Sequence, residues 1–271
     1  MHDGWVEIGD HVWVRRYAFY DQNIVAVRGG DQTLIVDTRS TPDQARELQE
    51  DLRAIGIEHV DIVVNTHGHH DHAFGNSVFR PCAIWGHERC ASMLRTTGEA
   101  QRASTATEIP ELAADLALVV IDPPDRLFAE RTVLDLGGRL IHLHYLGRGH
   151  TDNDIAIHVP DARVLCAGDL LENGAAPCFG DGFPLDWPQT VERLLAMTDG
   201  STVVVPGHGD HAGRAFVERS LDELREVAGL ASLVQGGYRT LESAIGDGPY
   251  APELMREPLE RALAQLRGEL G

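Results

Sequence analysis

The stretch T-H-G-H-H-D-H-A-F-G-N at residues 66–76 carries four imidazoles and one carboxylate in eleven positions. It follows directly on V-D-I-V-V-N at 60–65, a β-branched run that reads as a buried strand. His67 and His69 leave that strand end two residues apart, and Asp71 and His72 follow in a turn that can double back. Such a loop presents four ligands from one rigid point. Imidazole and carboxylate together suit zinc, and also iron or manganese. One loop seldom completes a metal site, so the fold must carry further ligands to the same strand end.

Three later turns supply them. G-R-G-H-T-D-N-D at 147–154 offers His150, just before a strand at 154–159. C-A-G-D at 166–169 offers Asp169, just after a strand at 164–168, and V-P-G-H-G-D at 205–210 offers His208 at the end of T-V-V-V-P. Each sits in a Gly-containing turn at a strand boundary, where ligand loops gather in open α/β architectures. A solvated polar loop at 66–76 would have no need of these matching turns.

The rest of the chain reads as two similar halves, each a sheet with outer helices. Short β-branched runs at 12–14, 23–28 and 32–37 precede the metal loop, with Gly29-Gly30-Asp31 as a hairpin turn. Thr41-Pro42 starts a helix that Gly56 ends. A strand at 79–87 and a helix over about 87–102 come next, then a less regular stretch at 103–127 punctuated by Pro110, Pro123 and Pro124. Strands at 132–136 and 139–146 form a second hairpin across Gly137-Gly138, and a helix at 187–199 takes Asp186 as its cap. The tail has helical spacing at 215–230 and 252–266. The expected class is α/β (α+β), with a catalytic domain over 1–213 and a helical extension over 214–271 packed on the same domain.

Composition removes several functions. The 271 residues carry a formal charge of −19, and all 23 basic residues are arginine. Without lysine there is no phosphate-binding loop of the Gly-x-x-x-x-Gly-Lys type and no Schiff-base chemistry. An acidic chain with no dense Arg run is a poor partner for a polynucleotide. The four cysteines, Cys82, Cys90, Cys166 and Cys178, form no C-x-x-C pair and suggest neither a zinc ribbon nor a disulfide scaffold. M-H-D-G-W-V-E-I-G-D is too acidic for a secretory signal, and no apolar run reaches the roughly 18 residues a membrane span needs. The expected setting is the cytoplasm, with a small molecule as partner and neither nucleic acid nor membrane.

The motif H67-x-H69-x-D71-H72, followed by His150, Asp169 and His208, resembles the metallo-β-lactamase-fold metallohydrolases. L-I-V-D37-T matches that superfamily's first motif, and the resemblance covers about residues 5–213 in the family order. It implies a four-layer αβ/βα sandwich with two divalent ions, zinc foremost and manganese or iron(II) as alternatives, in a cleft at the sheet edges. Carried over, His67, His69 and His150 hold the first ion, Asp71, His72 and His208 the second, and Asp169 bridges both. An Asp at the bridging position, as in the glyoxalase II-like and lactonase-like branches, favours a cytoplasmic housekeeping substrate over penicillins.

The implied function is hydrolysis of a small ester, thioester, lactone or related acyl compound by a metal-bridging hydroxide, with Asp71 orienting the nucleophile and taking its proton. The absence of a G-x-S-x-G elbow fits a hydrolase with no protein nucleophile. Glyoxalase II itself resembles a chain with a basic C-terminal clamp, which this acidic, lysine-free tail lacks. Two other readings stand beside the hydrolase. A persulfide dioxygenase-like oxidoreductase would hold one iron through His67, His150 and Asp169, and a non-catalytic module would use the fold to bind. His70 is expected to point away from the metals, His142 and His144 to be sheet histidines, and His211 to lie near the site or on the surface. Asp37, Thr151 and Asp154 read as supports of the metal loops. Cys166 reads as core. The stretch 172–187 is expected to line the pocket mouth, with Cys178, Phe179, Phe183 and Trp187 as either a pocket wall or a packed surface loop; residues 15–23 form a hairpin tip over the cleft, and 98–128 also shapes the pocket.

Overall fold

The computed structural model describes residues 4–270; the first three residues of the acidic N-terminal stretch and Gly271 lie outside the described residues. Chain order in the first half is β1 (Val6–Gly9), β2 (Val12–Tyr17), β3 (Gln22–Arg28), β4 (Thr33–Val36), α1 (Pro42–Arg53), β5 (Ile62–Val64), α2 (His70–Ala73), β6 (Ala83–His87), α3 (Glu88–Glu108), α4 (Ala113–Leu116) and β7 (Arg126–Phe128). The second half has β8 (Arg131–Asp135), β9 (Leu140–Tyr145), β10 (Ile155–Val159), β11 (Val164–Glu172), α5 (Trp187–Leu195) and β12 (Val203–His208). Three helices follow: α6 (Arg214–Gln235), α7 (Leu241–Gly246) and α8 (Pro252–Leu266).

The strands form one path, β7-β6-β5-β4-β3-β12-β11-β10-β9-β8, with β2 and β1 on the other edge of β3. The two halves join at a single ladder pair, His208 with Gln22. That narrow seam lets the path fold back on itself. Val25, Val27, Val36 and Val64 of the first half then meet Leu143, Ile157, Val164 and Val205 of the second in one buried core. Side chains alternate along each strand, so the opposite faces are apolar too. In β4, Leu34 and Val36 enter the inter-sheet core while Ile35 faces the α1 side. Ala45, Leu48 and Leu52 of α1 cover the first sheet, and Trp187, Val191 and Leu194 of α5 with Val217 and Leu221 of α6 cover the second. The result is helix, sheet, sheet, helix: the four-layer αβ/βα sandwich.

Local chemistry explains the helix starts. Thr41 Oγ1 accepts the Gln44 N–H at 3.3 Å and Pro42 fills the first helical position of α1. Asp186 precedes α5, but its side chain makes no cap bond there; it accepts from Arg148 Nε at 2.7 Å. That helix stops at Leu195 rather than 199, and the helix expected to end near 102 continues to Glu108. The strand expected over 79–87 is β6 alone, after a 3₁₀ turn at Asn76–Phe79. Within 103–127, α4 packs Leu116 against Leu94 of α3.

The parallel strands position the site. β4 and β5 run parallel, as do β11 and β12, so Asp37, His67 and His208 lie at or beyond carboxyl-terminal strand ends on one edge, and Asp169 lies in the carboxyl-terminal half of β11 beside them. Ile155 N–H donates to Thr66 O at 2.9 Å, tying the two halves together beside the metal loop. Among the described residues, no helix is long and apolar enough to cross a membrane.

Candidate metal centre

His67, His69, Asp71, His72, His150, Asp169 and His208 meet at this edge. The donor atoms of His67, His69 and His150 lie within 4.8 Å of one another, and so do those of Asp71, His72 and His208. Asp169 stands between the groups. Its Oδ2 is 3.8 Å from His67 Nε2, 3.5 Å from His150 Nε2 and 3.2 Å from His208 Nε2, while Oδ1 is 3.3 Å from His72 Nε2. The carboxylate comes this close because residue 207 is glycine: a Cβ there would sit 1.8 Å from Asp169 Oδ1.

Each imidazole is held by its outer nitrogen. His150 Nδ1 is 3.0 Å from the Cys178 carbonyl, and His208 Nδ1 is 2.7 Å from the Tyr20 carbonyl. A carbonyl only accepts, so both Nδ1 atoms carry the hydrogen and both Nε2 atoms turn lone pairs inward. His72 Nδ1 lies 2.8 Å from Asp37 Oδ2, and His69 Nε2 lies 3.0 Å from Asp181 Oδ2. His67 Nδ1 is 3.0 Å from Thr66 Oγ1, whose hydroxyl donates to Asp37 at 2.8 Å. Outer-nitrogen partners of this kind orient imidazoles for metal binding.

The inward atoms need a positive charge among them. His69 Nδ1 faces His67 Nε2 at 3.0 Å and His150 Nε2 at 2.8 Å. Asp169 Oδ1 is buried without a hydrogen-bond partner. In the ion-free chain, protons take that role. Burial would lower His208, yet Asp169 and Asp71 hold it up at about 10, and His72 is likewise held well above its usual value despite burial. The price appears elsewhere in the cluster: burial and the neighbouring His69 push His150 down to about 4. Five oriented imidazoles and two carboxylates thus fit divalent ions, with His67, His69, His150 and Asp169 able to hold one and Asp71, His72, His208 and Asp169 another.

The sequence profile of the metallo-beta-lactamase superfamily matches residues 18–208. The chain belongs to the metallo-beta-lactamase superfamily. It is similar to a metallo-beta-lactamase type 2 from Bacteroides fragilis, 29% identical over 127 residues that span 45% of this chain and 51% of that protein, about half its length. It is also similar to the acyl-coenzyme A thioesterase MBLAC2 of Homo sapiens, 27% identical over 255 residues, covering 84% of this chain and 88% of that one. In three dimensions a metallo-beta-lactamase from Pontibacter korlensis matches with a TM-score of 0.65 at 21% identity, over 82% of this chain and 98% of that chain. The expected enzyme class, a metal-dependent hydrolase of this superfamily, agrees with these relatives.

Around the superfamily motifs lies a cleft of about 640 Å³. The hairpin tip expected at 15–23 reaches it through Tyr20 and Asp21. Cys178 lines it, whereas Phe179, Phe183 and Trp187 are buried, with Phe179 packed on Trp187 of α5 and both in the core between that helix and the second sheet. His70 does not join the ligand groups; it lines the cleft and meets the Tyr20 ring edge-on at 5.6 Å. His142 and His144 lie on β9, His211 is exposed, and Cys166 is in the inter-sheet core. Asp154 accepts from Thr151 N and Oγ1 at 2.8 and 2.7 Å, bracing the His150 turn.

The sequence places the stretches 98–128 and 172–187 at the pocket but singles out neither Glu172, Asp181 nor one face of α3, all of which line it. Asp181 sits in a Gly-Asp-Gly turn that carries no ligand signature. Gln101, Ser104, Thr105 and Glu108 line the cleft at i, i+3, i+4 and i+7, a polar helical stripe that ending the helix near 102 concealed. Glu172 is three residues from Asp169, which on a regular strand would face the other way. The β11 register shifts between Gly168 and Glu172, and both carboxylates line the cleft. Burial and the nearby Asp169 push Glu172 up to about 7. An incoming cation would stabilise the charge of such a carboxyl.

Proposed function

We propose that the chain is a dinuclear metal-dependent hydrolase of a small ester, thioester, lactone or related acyl compound. The observation that carries this reading is Asp169, within 4 Å of histidines from both ligand groups. Divalent ions held there supply Lewis acidity, acidifying water and polarising a carbonyl.

The chain's own residues do the rest. Asp71 lines the cleft, with Oδ2 3.3 Å from His72 Nε2 and 3.5 Å from His208 Nε2. It is placed to orient an attacking water and accept its proton. Its backbone carbonyl accepts from the Gln22 side chain, which pins the loop to β3. Thr66 and Asp37, Asp181, Cys178 O and Tyr20 O hold the imidazoles, so the donors are preorganised. A cleft without arginine suits a small molecule rather than a polynucleotide. Four unpaired cysteines support a cytoplasmic setting. The reading extends to organisation: residues 1–213 carry the site and 214–271 form an extension of the same domain, a division supported by α6 packing on α5 and the second sheet.

Metal content by elemental mass spectrometry, on the wild type and Asp169→Ala, tests this. About two zinc or manganese ions per chain, lost in the variant, together with turnover in an ester, thioester and lactone screen, is the expected result. One iron per chain would replace the hydrolase with the dioxygenase-like reading. No bound metal would sink both.

A further inference from the structure

The cleft is lined by six carboxylates, Asp21, Asp71, Glu108, Asp169, Glu172 and Asp181, and by no arginine. The chain has no lysine to swing in. The cleft is a binding site on independent grounds, since Asp169 is 5% exposed and its Oδ1 has no hydrogen-bond partner. Most of these carboxylates already have work. Asp71 and Asp169 belong to the ligand groups, Asp181 pairs with His69, and Asp21 accepts from Arg16 Nη2 at 2.6 Å.

Glu172 is different. One of its oxygens accepts the Cys178 N–H at 3.0 Å, and the carboxylate comes within 4.8 Å of the donor atoms of His150 and Asp169. It therefore stands beside the ligand cluster and lines the cleft. No salt bridge within 4 Å engages it among the described residues. The Tyr20 ring lines the same cleft and is 38% exposed, a π-face that also favours cations.

The geometry points to Glu172 as a specificity residue: the cleft takes acyl compounds that carry an ammonium group close to the scissile bond and turns away those that carry a carboxylate there. This rests on the hydrolase reading above and names its substrate class. Like charges facing each other in a desolvated cleft are strongly disfavoured, and opposite ones fix orientation.

The test uses binding rather than turnover. The full chain is loaded with cobalt(II), and three small thiols are titrated while the thiolate-to-cobalt absorption is followed: 2-aminoethanethiol, 3-mercaptopropanoate and uncharged 1-propanethiol. The expected result is at least roughly tenfold tighter binding of the ammonium thiol than of the carboxylate thiol. Glu172→Gln, which can still accept the Cys178 N–H, should erase that preference and retain cobalt. The same ranking should appear as kcat/KM for thioesters of matched acyl groups. Equal affinities in the wild type, or a ratio unchanged by Glu172→Gln, would overturn the inference alone. So would loss of cobalt in Glu172→Gln, because Glu172 would then be a ligand. A wild type with no cobalt spectrum would overturn this inference and the hydrolase reading together.

Discussion

A single hydrogen atom at residue 207 decides whether Asp169 can reach four histidines. Gly207→Ala places a methyl group 1.8 Å from Asp169 Oδ1, so the carboxylate must turn away. The variant should keep its circular dichroism spectrum and lose most of its metal, read by elemental analysis. Asp37→Asn tests orientation without replacing a candidate ligand, because Asp37 holds both Thr66 and His72. Metal affinity should fall about 10–100-fold in competition with a chromophoric chelator. Acidity gives a third prediction. His208 is held up at about 10 from an ordinary 6.5, so its contribution to ion-free stability is complete below pH 6.5 and is lost as the pH climbs toward 10. Metal binding requires the same nitrogens without their protons and gains as pH rises. Calorimetry should show the ion-free Tm falling from pH 7 to 10, with the Tm increment on adding zinc growing over that range. A flat ion-free curve would contradict the charge arrangement.

At the level of elements, caps and irregularities carry different kinds of information. Thr41→Ala removes the cap of α1 and should cost about 1 kcal/mol in urea unfolding, with the metal content unchanged. That cap was legible because its residues are local: Thr, then Pro, then helical spacing. The metal-loop motif was legible for the same reason, since His67 to His72 span six consecutive positions after an apolar strand. The turn of Glu172 to the same side as Asp169 was not, because the register shift in β11 is set by its pairing with β12, more than thirty residues away. Tyr20 and Cys178 touch the site through backbone carbonyls, and a carbonyl is the one group whose presence no residue type announces. Phe179 and Trp187 could have faced either way. They face inward because α5 and β11 enclose enough apolar surface to receive them.

The molecule as a whole is two sheets closed on each other, with a helical tail that completes the outer layer of one. Phe216, Val217, Leu221 and Leu224 of α6 are buried against that sheet and α5. At about 1.5–3 kcal/mol for each large buried side chain, they rival the roughly 5–15 kcal/mol that stabilises a typical domain. A chain ending at residue 213 should therefore show no cooperative thermal transition, and a folded, metal-loaded truncation would show that the tail is a separate unit. The outer nitrogens of the imidazoles have a consequence at this scale. Three of the five are held by the rim of the cleft: the Tyr20 carbonyl, the Cys178 carbonyl and Asp181. The rim is also the part that must change when a lineage takes up a new substrate. On the proposed hydrolase reading, recognition and ion retention would be inherited through the same short segments, and adaptation to a new compound would proceed along mutational paths that leave those acceptors in place.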